Sequence, residues 1–204
     1  MNDATVFLVD DDPSVRDSLS LLLSLKGLRT RVYASAESLL ATYEPEWRGC
    51  VLTDLKMPGL TGIELQQALA ERGSTLPVVV LTAHGDVATT RQALKAGAFD
   101  FLEKPVDDDV LLDVLGNAIR RDQERHAEEA VRSRLEDRVA RLTPRERDVL
   151  LLIAEGLQNR EIGERLGISP RTVEVYKARM MEKLQCRSLA DAVRISLEWA
   201  RRVH

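Results

Sequence analysis

The chain has 204 residues, 44% hydrophobic and 30% charged; this composition excludes global disorder, and no apolar run approaches the ~20 residues of a membrane-crossing helix. The formal net charge of −4 hides an asymmetry: residues 141–204 carry 13 Lys/Arg against 9 Asp/Glu, and residues 1–140 carry 16 against 24. An acidic first part joined to a basic last part points to two domains with different partners, the basic one suited to nucleic acid.

Through about residue 105, short β-rich runs alternate with amphipathic stretches. The runs are TVFLV, RTRVY, CVLTD, PVVVLT and FDFLE, and the helical patterns cover 14–26, 36–42, 61–72, 86–96 and 106 onward. Gly27, Gly73 and Gly97 stand where helix C-termini are expected, positions that favour φ > 0. This alternation predicts a parallel sheet with helices on both faces. CVLTD and PVVVLT are nearly all apolar, as strands covered on both faces should be.

From 106 to about 139 no strand signal appears. A continuous helix there would be about 50 Å long at 1.5 Å per residue. Val110, Leu111, Val114, Leu115 and Ile119 suit packing on the sheet. The charge-rich second half keeps one sparse stripe, Val131, Leu135, Val139 and Leu142, spaced 4, 4 and 3. Two readings of it stand: a solvated linker, or a short coiled coil or docking face. The remaining residues read as four short helices. Thr143, Pro144 and Glu146 form an N-terminal capping box, and Ser169 with Pro170 opens another helix after LGIS, a helix-turn-helix pattern.

The stretch VFLVDDDPSV poses a question, because three carboxylates end a hydrophobic strand. In an open parallel sheet, ligands sit beyond the C-terminal strand ends where strand order reverses. Asp10, Asp11 and Asp12 follow the first strand, Asp54 ends the third, Thr82 ends the fourth and Lys104 follows the fifth. An acid cluster there is tolerated if a hard cation neutralises it. Mg2+ suits, since it takes one or two carboxylates and completes its shell with water and phosphate oxygens. A lysine and a hydroxyl opposite would grip other phosphoryl oxygens. Asp12, before Pro13, reads as a helix N-cap rather than a ligand.

The segments VDDD (9–12), TDLKMPGLTGIEL (53–65), LTAHGD (81–86) and FLEKPV (101–106) resemble the two-component receiver domain over residues 3–120. The resemblance implies a flavodoxin-like, doubly wound five-stranded sheet of order 2-1-3-4-5. It implies Asp54 as phosphoacceptor, Asp10, Asp11 and Asp54 with the Lys56 carbonyl as Mg2+ ligands, and Thr82, Ala83 and Lys104 as the phosphate-binding and switch residues. It also implies a cis peptide before Pro105 and Phe101 as a rotating aromatic, although a Phe in a strand is core by default. Lys56 and His84 are either gatekeepers of the hydrolytic water or plain loop residues.

The pattern L-T-x-R-E-x-x-V-L (142–150), with N-x-E-I-x-x-x-L and S-x-x-T-V-x-x-Y after it, resembles the LuxR-type four-helix DNA-binding domain. Both domains together resemble regulators of the FixJ type. The expected division is a receiver at 1–120, a helical linker at 121–140 and the DNA-binding domain at 141–204. The reading helix would span 170–184, with Arg171, Thr172, Glu174, Val175, Lys177, Arg179 and Lys183 on DNA and Arg160 assisting from the helix before. Val173, Met180, Met181 and Leu184 read as core. Leu189, Val193 and Leu197 on the last helix serve either to pair two domains or to fill their own core.

The implied partners are a sensor histidine kinase, promoter DNA and RNA polymerase. A phosphorylation-dependent homodimer would form on helix 86–96, strand 99–102 and helix 106–120, around Lys95, Asp100 and Arg120. No enzymatic role is expected beyond self-phosphorylation and slow dephosphorylation. Without an export signal, and with Cys50 and Cys186 forming no CxxC pair, a cytoplasmic protein with free thiols is expected. Two competing readings are a Mg2+-dependent acyl-phosphatase or phosphotransfer module with vestigial DNA binding, and a DNA binder indifferent to phosphorylation.

Overall fold

The computed structural model describes residues 4–83 and 97–203. Helix 86–96, His84 and Lys95 lie outside the described residues. The chain forms two compact units, 1–126 and 127–204. Among the described residues no helix is long and apolar enough to cross a membrane.

The first unit is a five-stranded parallel sheet of order β2-β1-β3-β4-β5, as predicted. Its strands are β1 (Thr5–Val9), β2 (Arg29–Tyr33), β3 (Gly49–Asp54), β4 (Val78–Thr82) and β5 (Asp100–Glu103). β3 and β4 are buried along their whole length, which is why their sequences lack polar alternation. Helices α2 (Ala36–Thr42) and α3 (Gly62–Glu71) cover one face through Leu39, Leu40, Ile63, Leu65 and Leu69. On that face Trp47 stacks on Phe7 with ring centroids 4.0 Å apart. Helix α1 (Pro13–Leu25) and the start of α4 (Asp108–Ala140) cover the other face through Leu23, Leu111, Leu115 and Ile119.

Two glycines allow close backbone approaches at the two ends of β3. Gly49 starts β3 at φ +128, where a Cβ would collide with the Thr5 carbonyl oxygen. At Gly62 a Cβ would come within 2.5 Å of the Asp54 carbonyl oxygen, so only glycine lets α3 start against the end of β3.

Helix α4 runs unbroken for 33 residues, so nothing in its backbone marks a linker beginning at 121. Packing tells more than backbone here. Asp122 is buried at 1% exposure, its Oδ2 accepting the Gly49 N–H at 2.9 Å and its Oδ1 pairing with Arg125 at 3.2 Å and His126 at 3.3 Å. Burial first, and then the Asp122 charge, push the neighbouring Cys50 thiol up to about 12. A charged residue placed by sequence in the linker is therefore part of the interior of the first unit.

The second unit packs α5 (Pro144–Ala154), α6 (Asn159–Leu166), α7 (Pro170–Leu184) and α8 (Leu189–Val203) around Val149, Leu150, Ile162, Val173, Met180 and Leu184. Leu135, Val139 and Leu142 join that core, while Val131 stays exposed. The apolar stripe of the second half of α4 is thus largely consumed inside its own unit. The capping box at Thr143 and Glu146 is present, with Glu146 accepting the Thr143 N–H at 2.8 Å. Gly167 closes α6 in the left-handed conformation at φ 68.

Candidate functional site

Parallel strands in this order bring the C-terminal ends of β1, β3, β4 and β5 to one edge. Asp10, directly after β1, is 2% exposed; Asp54, closing β3, is 9%; Thr82, closing β4, is 1%. Lys104 follows β5, its N–H donating to the Thr82 carbonyl at 2.6 Å, and the Lys104–Pro105 peptide is cis. Its ammonium bridges the two acids, 2.9 Å from Asp10 Oδ2 and 2.5 Å from Asp54 Oδ1. Asp54 Oδ2 accepts the Lys56 N–H at 2.8 Å, and Asp10 Oδ1 accepts the Asp12 N–H at 2.9 Å. Arg16 donates to the Asp10 carbonyl at 2.7 Å. Asp12 caps α1 through the Ser14 N–H at 2.8 Å, the role read from Pro13 beside it.

Burial lowers the proton affinity of Lys104, but its hydrogen bonds to Asp54 and Asp10 and their charges outweigh that, so its pKa is raised. One cation still faces two buried carboxylates. Each carboxylate oxygen uses one protein donor, leaving acceptor capacity on all four. These hard oxygen donors and the uncompensated charge fit Mg2+. Among the described residues, however, no group of three acids, histidines or cysteines is gathered at metal spacing. Asp11 is exposed, as are Lys56 and Ala83. Of the three expected metal acids, the structure joins Asp10 and Asp54 through the Lys104 ammonium and leaves Asp11 exposed. Phe101 is half-buried against the core of the α2–α3 face.

In the second unit, α7 presents Arg171, Glu174, Val175 and Arg179 to solvent, with Val173, Met180 and Leu184 fully buried and Met181 half-buried against them. Ser169 caps the helix through the Thr172 N–H at 3.1 Å, and the two hydroxyls lie 2.8 Å apart. Lys177 donates to Asn159 Oδ1 at 2.9 Å, and the same amide donates to Glu174 Oε1 at 3.4 Å. Asn159 thus joins two expected reading residues, at sequence separations of 18 and 15 that no helical periodicity flags. Arg160 pairs along α6 with Glu164 at 3.1 Å. Lys183 differs from the expectation: its ammonium lies 2.6 Å from the buried carboxylate of Glu146 and is committed inside the unit. Burial raises the Glu146 pKa, but Lys183 and the Thr143 hydrogen bonds outweigh it, so the carboxyl titrates below its ordinary value. On α8, Leu189 and Leu197 are exposed while Val193 packs into the core, so the three residues do not share one role.

Residues 6–116 match the response regulator receiver domain family, and residues 140–196 match the bacterial regulatory proteins of the luxR family. The chain is 44% identical to the transcriptional regulatory protein FixJ of Azorhizobium caulinodans, over 94% of this chain and 91% of that one. Among solved structures it is similar to the response regulator StyR, at a TM-score of 0.90 and 40% identity, covering 96% and 98% of the two chains. Full-length FixJ from B. japonicum is similar at a TM-score of 0.61 and 40% identity, with 97% of each chain covered.

Proposed function

This chain belongs to the FixJ-like response regulators, transcriptional regulators that join a receiver to a LuxR-family DNA-binding domain, and we propose that Asp54 is its phosphoacceptor. The observation that carries the assignment is the Lys104 ammonium held between Asp10 and Asp54 at the sheet edge. A carboxylate oxygen of Asp54 attacks the phosphorus of a phosphohistidine on a sensor kinase. The P–N bond breaks and Asp54 keeps the phosphoryl group as an acyl phosphate. Asp10, Asp11, Asp54 and the Lys56 carbonyl would hold Mg2+, which when bound neutralises phosphoryl charge. Lys104 shifts from the carboxylate to a phosphoryl oxygen, and Thr82 with the Ala83 backbone accommodates another. Slow return to the free carboxylate is the only other chemistry the site performs.

Movement of Thr82 toward the phosphoryl group opens room for Phe101 to turn inward, reshaping the surface that includes Asp100 and Arg120. A symmetric dimer forms there and pairs two DNA-binding units. Each unit sets α7 into a major groove. Glu174 accepts from a cytosine amino group, Val175 touches a thymine methyl, and Lys177, Arg171, Thr172, Arg179 and Arg160 meet phosphates. Paired half-sites raise affinity through effective concentration, and RNA polymerase is the downstream partner at the promoter in the cytoplasm.

The test uses labelled acetyl phosphate with Mg2+, a gel shift, and light scattering with and without beryllofluoride. Wild type takes label, dimerises and binds DNA more tightly. Asp54→Asn keeps its fold and loses all three responses. Full labelling of that variant at another residue overturns the phosphosite. A dimer of equal strength in both states overturns the switch.

A further inference from the structure

Between the start of α5 and one face of α7 lies a cavity of about 450 Å³, lined by Thr143, Arg145, Glu146, Tyr176, Arg179 and Lys183 among others. Three cations meet one carboxylate there. Lys183 already compensates Glu146 at 2.6 Å, so two guanidinium groups are in excess. Arg145 is 55% exposed, and its paired carboxylate, Asp148 on the same helix, lies at a long 3.7 Å. Arg179 is exposed and makes no ion pair among the described residues.

We propose that this cavity anchors a backbone phosphate of the DNA, with Arg145 and Arg179 as its ligands, extending the DNA footprint from the reading helix onto α5. The proposal rests on the assignment of α7 as the reading helix. The class of anion follows from position. Tyr176, Arg179 and Lys183 occupy one strip of α7, beside the strip carrying Arg171, Glu174, Val175 and Ala178. A helix seated in a major groove is bordered by phosphates along its flank, and these fix its register without reading sequence. Planar guanidinium forks suit a phosphodiester in a way a lysine does not. Glu146 would oppose an anion if it stood uncompensated. It accepts both the Thr143 N–H, at 2.8 Å, and the Lys183 ammonium, and so serves as a positioning residue for Lys183 rather than a repulsive wall.

The experiment is fluorescence anisotropy of the full chain, treated with acetyl phosphate, on one duplex of mixed sequence over a series of salt concentrations. Arg145→Ala should weaken binding roughly 3- to 10-fold. It should also reduce the slope of log affinity against log salt by about 0.9, the value for one lost phosphate contact. Arg145→Lys should restore the slope while leaving affinity below wild type. Since Arg145 is exposed, thermal melting should not change in either variant. Lys177→Ala, run beside them, separates the two ideas. Unchanged slope and affinity in Arg145→Ala, with loss in Lys177→Ala, overturns the cavity and leaves the reading helix standing. No change in either variant overturns both. Loss in Arg145→Ala alone supports the cavity and removes Lys177 from the interface.

Discussion

Replacing Lys104 with Met is the sharpest perturbation of the receiver site, because it strips the cation from between two buried acids. At an effective dielectric of 20, charges at the observed separations of 2.9 and 2.5 Å attract by about 6 to 7 kcal/mol per pair before desolvation. Removing one partner of a buried pair costs about 3 to 5 kcal/mol net, and the Lys104 side chain is 26% exposed, so the lower end, about 3 kcal/mol, applies. For a unit of this size that is on the order of 10 °C in melting temperature. Asp54→Asn has the opposite charge consequence, leaving Lys104 and Asp10 as a matched pair, and should melt at or above wild type. Millimolar Mg2+ should stabilise Lys104→Met most, wild type less and Asp54→Asn least. The pH dependence follows from the raised Lys104 pKa. Its contribution is fully present below the ordinary lysine value of 10.5 and is lost as pH rises through the raised folded value. Wild type should therefore lose stability in alkali by a step that Lys104→Met lacks. Calorimetry of the three proteins, with and without Mg2+, measures all of this. A Lys104→Met protein that melts with wild type and ignores Mg2+ would refute the charge reasoning.

Glu146→Gln should destabilise the second unit at neutral pH by about 1 to 3 kcal/mol, since it leaves the half-buried Lys183 charge without its partner. The folded Glu146 pKa is lowered, so its contribution is present above the ordinary carboxyl value of 4.5 and lost as pH falls through the lower folded value; the gap between variant and wild type in thermal melts should close in acid. Asn159→Ala should release Lys177 and Glu174 together and reduce the ratio of specific to non-specific affinity while leaving non-specific binding nearly unchanged, as measured by competition on selected and scrambled duplexes. An equal loss on both duplexes would instead make Asn159 a purely structural residue.

The fold was legible because two periodicities dominate the sequence. Strands buried on both faces read as unbroken apolar runs, and α5 and α7 announce their starts with the Thr143 and Ser169 caps. The acids of the receiver were equally legible, since residues that end successive parallel strands must share an edge whatever their neighbours are. What stayed hidden depends on tertiary partners rather than spacing. Asp122 reads as one more charge in a polar helix, and only the Gly49 N–H, 73 residues earlier, makes it an interior residue. Lys183 reads as one more cation on the reading helix, and only Glu146, 37 residues earlier, turns it inward. Asn159 carries no charge pattern at all. In each case a polar side chain found its partner on a different element, where neither a 3.6-residue nor a 2-residue period can point. A basic helix therefore overstates its own DNA contacts when read alone. α7 offers Arg171, Lys177, Arg179 and Lys183 as cations, yet one of these, Lys183, is bound to a buried carboxylate. Arg145, outside α7, adds an exposed cation beside Tyr176 and Arg179, a neighbourhood made by the packing of α5 on α7 and by no spacing within either helix.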